Sequence, residues 1–186
     1  MMTVQVQHHR KLNNRGASLI ELLIVIAILG VMMGGAIVAF SMLNSGNVKD
    51  AARTTKSTFE KTRTSAMSVV ADEWVFVVEN VDGSIKTYAN KVYTNEEDEV
   101  VTEKKEENVL GSKVTATLIA GASEVPLNSG DKLQIVFDSS SGSVTSVKVN
   151  DTTYSPSTAT VSIRYAVGSK KNDVKVYFVS GKVEIE

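Results

Sequence analysis

The chain has 186 residues and a formal net charge of −1, from 20 Lys and Arg against 21 Asp and Glu. This balance leaves no basic field of the size that nucleic-acid binding needs, so we expect no nucleic-acid partner. Cysteine is absent, and the two histidines, His8 and His9, lie near the N-terminus. Without thiolates, and without a G-x-S-x-G, P-loop or H-E-x-x-H motif, we expect no enzymatic activity, small-molecule substrate, cofactor or metal site.

Residues 1–16 form a hydrophilic leader that carries Arg10, Lys11 and Arg15 without any acid and ends in Gly16. An apolar run follows, and residues 22–48 contain no charge. As a helix they extend about 40 Å, more than the roughly 30 Å of a bilayer's hydrocarbon. The sequence therefore predicts a transmembrane helix over residues 17–43. Its basic leader stays in the cytoplasm and its C-terminal part lies outside.

A cleaved secretory signal peptide is the alternative interpretation of this run, with Ala39-Phe40-Ser41 as a cleavage site. The apolar region of such signals has about 7–15 residues, so the observed run is too long. Within it, Gly30 and Gly34 have the small-xxx-small spacing that lets membrane helices approach. The same glycines also permit local melting of the helix. Both roles require partner helices, so both indicate assembly.

Glu21 is the only charge inside the apolar run. A carboxylate near hydrocarbon costs free energy, so anchoring alone does not explain it. Glu21 is either an interfacial carboxylate without a role or an assembly residue. In the second case, cleavage after Gly16 would leave Ala17 with a free ammonium, and this could pair with Glu21 of a neighbouring subunit. Such a pair would select the register of packing more than it would add stability.

Residues 16–30, GASLIELLIVIAILG, resemble the N-terminus of type IV pilins and of type II secretion pseudopilins. The resemblance implies that a prepilin peptidase cuts between Gly16 and Ala17 and methylates the new amino group of Ala17. It also implies that the apolar helix first holds the subunit in the lipid of the cytoplasmic membrane. A pilus assembly platform protein then adds it to other pilin or pseudopilin subunits, and Glu21 sets the offset. Ala17 stands where phenylalanine is commonest, and Val38 where major pilins often have a kinking proline.

Residues 44–71 are expected to continue the helix in amphipathic form. The polar cluster 44–47 could break or kink it, but apolar residues then recur at spacings near 3.6 (Val48, Ala52, Phe59, Ala66 and Val70). This pattern indicates packing against the chain's own domain. Cations occupy the other faces, and a groove for a polyanion is the alternative for them: Lys49, Arg53, Lys56, Lys61 and Arg63.

Residues 72–186 read as a β-rich domain outside the cell. The apolar run 74–78 leads into Asp82-Gly83, a strong hairpin signal, and the chain returns through residues 84–88. Further strands are predicted at 113–119, 132–137, 143–149, 160–167, 173–179 and 182–185. Residues 138–142 are expected to form a turn rather than a calcium loop, because Val149 stands where the bidentate glutamate would be required. Residues 95–108, rich in Asp and Glu, are predicted to be a solvated loop, with a cation or partner-docking loop as the alternative.

The predicted fold class is α+β, with a long N-terminal helix, membrane-spanning in its first half, packed on a mostly antiparallel sheet domain. The helix end at residues 63–67, followed by a hairpin with a glycine turn, also resembles the H-type minor pseudopilins. We therefore expect a structural filament subunit, in the membrane before assembly and on the cell surface or in an extracellular filament afterwards. The alternative is a membrane-anchored binding domain that never polymerises, such as an adhesin or a sensor ectodomain.

Overall fold

The computed structural model describes residues 18–68, 72–111, 113–154 and 159–186, with the backbone alone for 34–38 and 40. The chain divides into two compact units, one ending at Phe40 and the other running from Ser41 to Glu186. Among the described residues the elements are α1 Leu19–Ser68, β1 Glu73–Val81, β2 Ser84–Thr94, β3 Val100–Val109, β4 Thr115–Ala120, β5 Ser123–Pro126, β6 Lys132–Phe137, β7 Val144–Val149, β8 Thr152–Tyr154, β9 Thr160–Val167, β10 Lys170–Tyr177 and β11 Val183–Ile185.

The strands form two antiparallel sheets, which confirms the α+β class. Sheet A has the order β3-β2-β1-β6-β7-β8, and sheet B has the order β11-β10-β9-β4-β5. The strands predicted from the sequence are present close to their expected bounds, except that β2 runs to Thr94 and not to the predicted residue 88. The short strands β5 and β8 were not predicted, because three or four residues are too few to show a period of two.

The β1–β2 hairpin has the predicted turn. Asp82 and Gly83 take φ values of 50° and 82°, the left-handed backbone of a two-residue type I′ turn. The register from Glu73 opposite Val92 to Val81 opposite Ser84 is continuous. The Asp-Gly pair therefore fixes the register of the two strands at the centre of sheet A.

The C-terminal half of α1 packs on the domain as its amphipathic pattern predicted. Val48, Ala52, Phe59 and Ala66 are all buried, whereas Val70 lies outside the described residues. The Phe59 ring makes edge-on contacts with two rings of sheet A, Phe76 and Phe137, at centroid distances of 5.3 and 4.9 Å. Such pairs add to the free energy gained by burying the rings.

Polar groups on the buried face of α1 are satisfied inside the domain. The Thr55 hydroxyl donates to the Tyr165 hydroxyl of β9 at 2.8 Å, and both residues are fully buried. Thr58 and Thr62 donate to the carbonyl oxygens of Thr54 and of Thr58, at 3.0 and 2.7 Å. Burial also raises the pKa of Tyr165, so its hydroxyl stays neutral.

The prediction of a solvated loop over residues 95–108 was wrong, because β3 occupies Val100–Val109 and pairs with β2 at the edge of sheet A. Composition suggested mutual repulsion of the acids, but two of those on β3 bind lysines that are distant in sequence. Lys61 binds Glu106 at 2.9 Å and Lys86 binds Glu107 at 2.8 Å. Only the turn at 95–99 matches the expected loop.

The polar cluster at 44–47 does not interrupt α1, which runs unbroken from Leu19 to Ser68. Helix-weakening residues are compensated here by packing: a Cβ on Gly111 would lie 3.3 Å from the Asn47 side chain, and Val48 and Ala51 are buried directly after it. Ser68 is the last described residue of α1, and residues 69–71, over which the helix was predicted to continue, lie outside the described part of the chain.

Within the described part of the chain, no helix is both long enough and apolar enough to cross a membrane. The membrane-spanning character of residues 17–43 therefore remains a prediction.

Candidate assembly site

The start of α1 is held by two reciprocal hydrogen bonds between Ser18 and Glu21. The Glu21 backbone N–H donates to Ser18 Oγ, and the Ser18 backbone N–H donates to Glu21 Oε2, both at 3.3 Å. This is a capping box, which satisfies amide groups that the first helical turn leaves without partners. Glu21 therefore has a local role that its charge alone did not suggest. The spacing Ser18-x-x-Glu21 is the signal from which this cap could have been predicted.

The predicted cleavage site itself, Gly16 and Ala17, lies outside the described residues. The described chain begins one residue later, at Ser18, with the cap already formed. Cleavage between Gly16 and Ala17 would place the new amino group next to the capped turn that holds the Glu21 carboxylate.

The first part of α1 exposes its large apolar side chains in every direction. Their exposed fractions run from 48% at Leu29 to 85% at Leu19. An apolar surface of this extent on a single chain indicates contact with lipid or with other helices. The surface comprises Leu19, Ile20, Leu22, Leu23, Ile24, Val25, Ile26, Ile28, Leu29, Val31, Met32 and Met33.

Gly30 lies within this surface and has nothing within 4 Å of the position a Cβ would take. The chain's own fold therefore does not require a glycine there. Its small size matters only against another molecule, as expected for small residues that let helices approach closely.

The cations on the outer faces of α1 mostly have partners within the chain. Lys61 binds Glu106, and the Arg63 Nε donates to the Gly142 carbonyl oxygen at 2.9 Å. Lys56 lies 3.8 Å from Glu60, one helical turn away. A groove for a polyanion would need these charges free, so their pairing favours the packing interpretation.

The loop at residues 138–142 is a turn closed on itself, as predicted. Asp138 Oδ1 accepts from the backbone N–H and hydroxyl of Ser140 at 3.1 and 2.6 Å, and from those of Ser141 at 2.8 Å each. These bonds, the Ser140 side chain foremost, lower the pKa of Asp138 to about 2. Gly142, with a φ of 67°, closes the turn by donating to the Asp138 carbonyl oxygen.

Comparison with known proteins gives one match. Residues 11–37 match the family model described as the prokaryotic N-terminal methylation motif. No curated protein and no solved structure matches the chain. The matched segment contains Gly16, Ala17, the Ser18–Glu21 cap and the whole of the exposed apolar surface. The chain therefore carries the prepilin-type signal of type IV pilins and pseudopilins at its N-terminus.

Proposed function

We propose that this chain is the precursor of a structural subunit of a bacterial type IV pilus-like filament. The single observation that carries the proposal is the N-terminal methylation motif at residues 11–37. The capped helix start and the apolar surface that follows it support the same function, because a filament subunit needs an N-terminal helix with an apolar surface that packs against other subunits. The role is structural rather than enzymatic.

Processing is the first step of the proposed mechanism. A prepilin peptidase removes residues 1–16 by cutting between Gly16 and Ala17, and the amino group of Ala17 is then methylated. The charged leader holds the precursor at the cytoplasmic face, and its loss exposes an ammonium beside the apolar surface. Until assembly the subunit stays in the cytoplasmic membrane with the β domain outside.

Assembly is the second step. An assembly platform protein brings the subunit to the base of the filament, where burial of the apolar surface against other helices supplies the association energy. Glu21 pairs with the ammonium of an adjoining subunit and thereby selects one axial offset. A charge that stays unpaired in such a bundle costs about 3–5 kcal/mol, which is the cost of removing one partner of a buried ion pair in other proteins.

The subunit is, in our proposal, a minor pilin or pseudopilin rather than the main shaft subunit. The support is the resemblance of the helix end and closing hairpin to H-type minor pseudopilins. In this chain Arg63, at that helix end, contacts Gly142 and lies beside Gly181 of the β10–β11 turn. Quantitative mass spectrometry of purified filaments tests this part, since a minor subunit is present at far below stoichiometric amounts.

The test of processing is the N-terminus of the protein taken from its own cells. We expect the mature chain to begin at a methylated Ala17, and we expect Gly16→Val to leave the leader attached. Gly46→Ala is the matched control, because Gly46 lies in α1 outside the motif and has open space at its Cβ position. A Gly16→Val protein that matures like Gly46→Ala would overturn the proposal.

The same measurement decides against the rival function. A tethered adhesin or sensor ectodomain would keep residues 1–16, would not depend on the peptidase, and would be absent from filament preparations. Recovery of a chain that begins at Met1 would favour that rival.

A further inference from the structure

The domain Ser41–Glu186 has two ends, and the first is the end at which α1 enters it. Gly111 packs against Asn47 there, and β4 begins nearby at Thr115. Thr115 lies opposite Ala166 of β9, and Ala166 lies opposite Lys171 of β10. The β9–β10 turn therefore lies at this end, which we call the proximal end.

The opposite, distal end is the one that α1 reaches at Ser68, its last described residue. Arg63 donates to the carbonyl oxygen of Gly142 in the β6–β7 turn, and an added Cβ at Gly181 would lie 2.6 Å from Arg63 Nε. In β2, Val92 lies opposite Glu73, the first residue of β1, and the strand continues beyond it to Thr94. The β2–β3 turn at residues 95–99 therefore lies at the same end. The turns of the two ends are thus separated by the length of the sheets.

At the proximal end, sheet B exposes three lysines, Lys113, Lys170 and Lys171, which we call the lysine surface. None of the three has an ion pair among the described residues, whereas the other lysines of sheet B, Lys175 and Lys182, each bind a glutamate. At the same end, sheet A exposes two acids, Asp82 and Asp151.

The distal end has an exposed acidic turn. The acidic turn consists of Glu96, Glu97, Asp98 and Glu99, all exposed and, in the described part of the chain, all without an ion pair. The turn is closed by its own hydrogen bonds, since the Asn95 side-chain oxygen accepts from the amides of Glu97 and Glu99 at 3.0 and 2.8 Å. The carboxylates project from this hydrogen-bonded backbone.

We propose that the lysine surface is a docking surface for a second copy of this chain, which binds it through its acidic turn. The inference rests on the proposed function, because a contact between opposite ends is heterologous and propagates an open filament instead of closing a dimer. Charge complementarity selects the occupant: each copy carries both signs, at opposite ends. An anionic lipid surface fits less well, since Asp82 and Asp151 at the same end would repel it.

The contact sets register and orientation more than it contributes affinity. Its charges are exposed, so solvent and salt screen them, and the affinity comes from the apolar surface of α1. Removing the contact should therefore reduce incorporation into filaments without abolishing membrane insertion or processing.

Charge reversal tests the pairing in the full chain in its own cells. Lys113→Glu/Lys170→Glu/Lys171→Glu reverses the charge of the lysine surface and should lower incorporation about tenfold, and so should Glu96→Lys/Glu97→Lys/Glu99→Lys, which reverses the charge of the acidic turn. The chain with all six changes has both charges inverted together and should regain incorporation. Lys148→Glu is the control, since Lys148 is exposed on β7 outside both surfaces. Failure of the six-fold variant to recover, with processing and folding intact, would overturn the inference.

Cysteine cross-linking gives a second readout, because the chain has no cysteine of its own. Ser169→Cys and Glu97→Cys chains expressed together should form a mixed dimer in filaments, and a chain with both changes should form a ladder. A cross-link to a different protein, or the absence of any cross-link, overturns the inference. The proposed function stands in that case if the wild type still enters filaments after cleavage at Gly16. Absence of the wild type from filaments would instead overturn the proposed function.

Discussion

Ser18 and Glu21 bond to each other twice, so the carboxylate proposed to pair with a neighbouring subunit already caps its own helix. The two roles make different demands on residue 21. A cap needs a side-chain oxygen that accepts from the Ser18 amide, whereas pairing with an ammonium needs a negative charge. The roles are therefore separable by substitution.

Glu21→Gln should keep the cap and lose the charge, because glutamine also serves in capping boxes. Glu21→Ala should lose both, at a cost to helix stability of about 0.3–1.5 kcal/mol. If charge pairing governs assembly, both variants insert normally and both incorporate poorly into filaments. Normal incorporation of Glu21→Gln beside a defect in Glu21→Ala would show that the cap, and not the charge, is what assembly needs.

Gly181→Ala should destabilise the domain much more than Gly168→Ala. The two glycines have nearly equal φ values, 59° and 58°, so the backbone penalty is the same. At Gly168 an added Cβ meets nothing within 4 Å, whereas at Gly181 it would lie 1.9 Å from the Gly142 carbonyl oxygen. We expect an additional loss of about 1–3 kcal/mol at Gly181, as overpacking costs elsewhere. Denaturant unfolding of the full chain in detergent, followed by Trp74 fluorescence, measures it, and equal losses would contradict the prediction.

Tyr165→Phe should cost about 1–3 kcal/mol, because it leaves the buried Thr55 hydroxyl without its acceptor. Thr55→Val/Tyr165→Phe should recover part of that loss, since neither partner then has an unsatisfied polar group. The coupling energy from the double-mutant cycle in thermal or denaturant unfolding is the measurement. Additive effects of the two changes would show that the hydrogen bond does not stabilise the docking of α1.

The Asp138 turn should lose its contribution to stability in acid. Folding lowers the pKa of Asp138 from 3.8 to about 2, so the carboxylate stabilises the folded state above pH 3.8 and this stabilisation disappears as the pH falls through about 2. Asp138→Asn removes the charge and keeps a side-chain oxygen. The difference in Tm between the wild type and the variant should therefore be constant near neutral pH and shrink below pH 3.8. A difference independent of pH would contradict the assigned cause.

Local signals in the sequence predicted most of the fold. Asp82-Gly83 predicted its hairpin because only a few residue pairs favour that backbone, and the spacing of Val48, Ala52 and Phe59 predicted which face of α1 is buried. The order of the strands and their division into two sheets depend on contacts between distant residues, which a single sequence does not display. The strand β3 was missed for the same reason: Lys61 and Lys86, which bind Glu106 and Glu107, lie far from β3 in the chain. Among the described partners of these two acids, only Lys104 beside Glu107 was visible locally.

The candidate site was predicted in part. The motif at Gly16, Ala17 and Glu21 was recognised from the sequence, and the match at residues 11–37 confirms the prepilin-type signal. The roles of the three residues stay predictions. The spacing of Ser18 and Glu21 is that of a capping box, but this cap was not predicted, because the charge of Glu21 was interpreted as a contact with a partner molecule.

The charged edge of sheet A also has a consequence for crowding. Where many domains are held close together, an edge strand that is flat and apolar would recruit its neighbours into continuous sheets. β3 resists this: its backbone bulges near Glu106, which has a φ of 49°, and Lys104 lies over the Tyr88 ring while binding Glu107. Copies of this domain held close together would thus remain separate folded units instead of merging edge to edge.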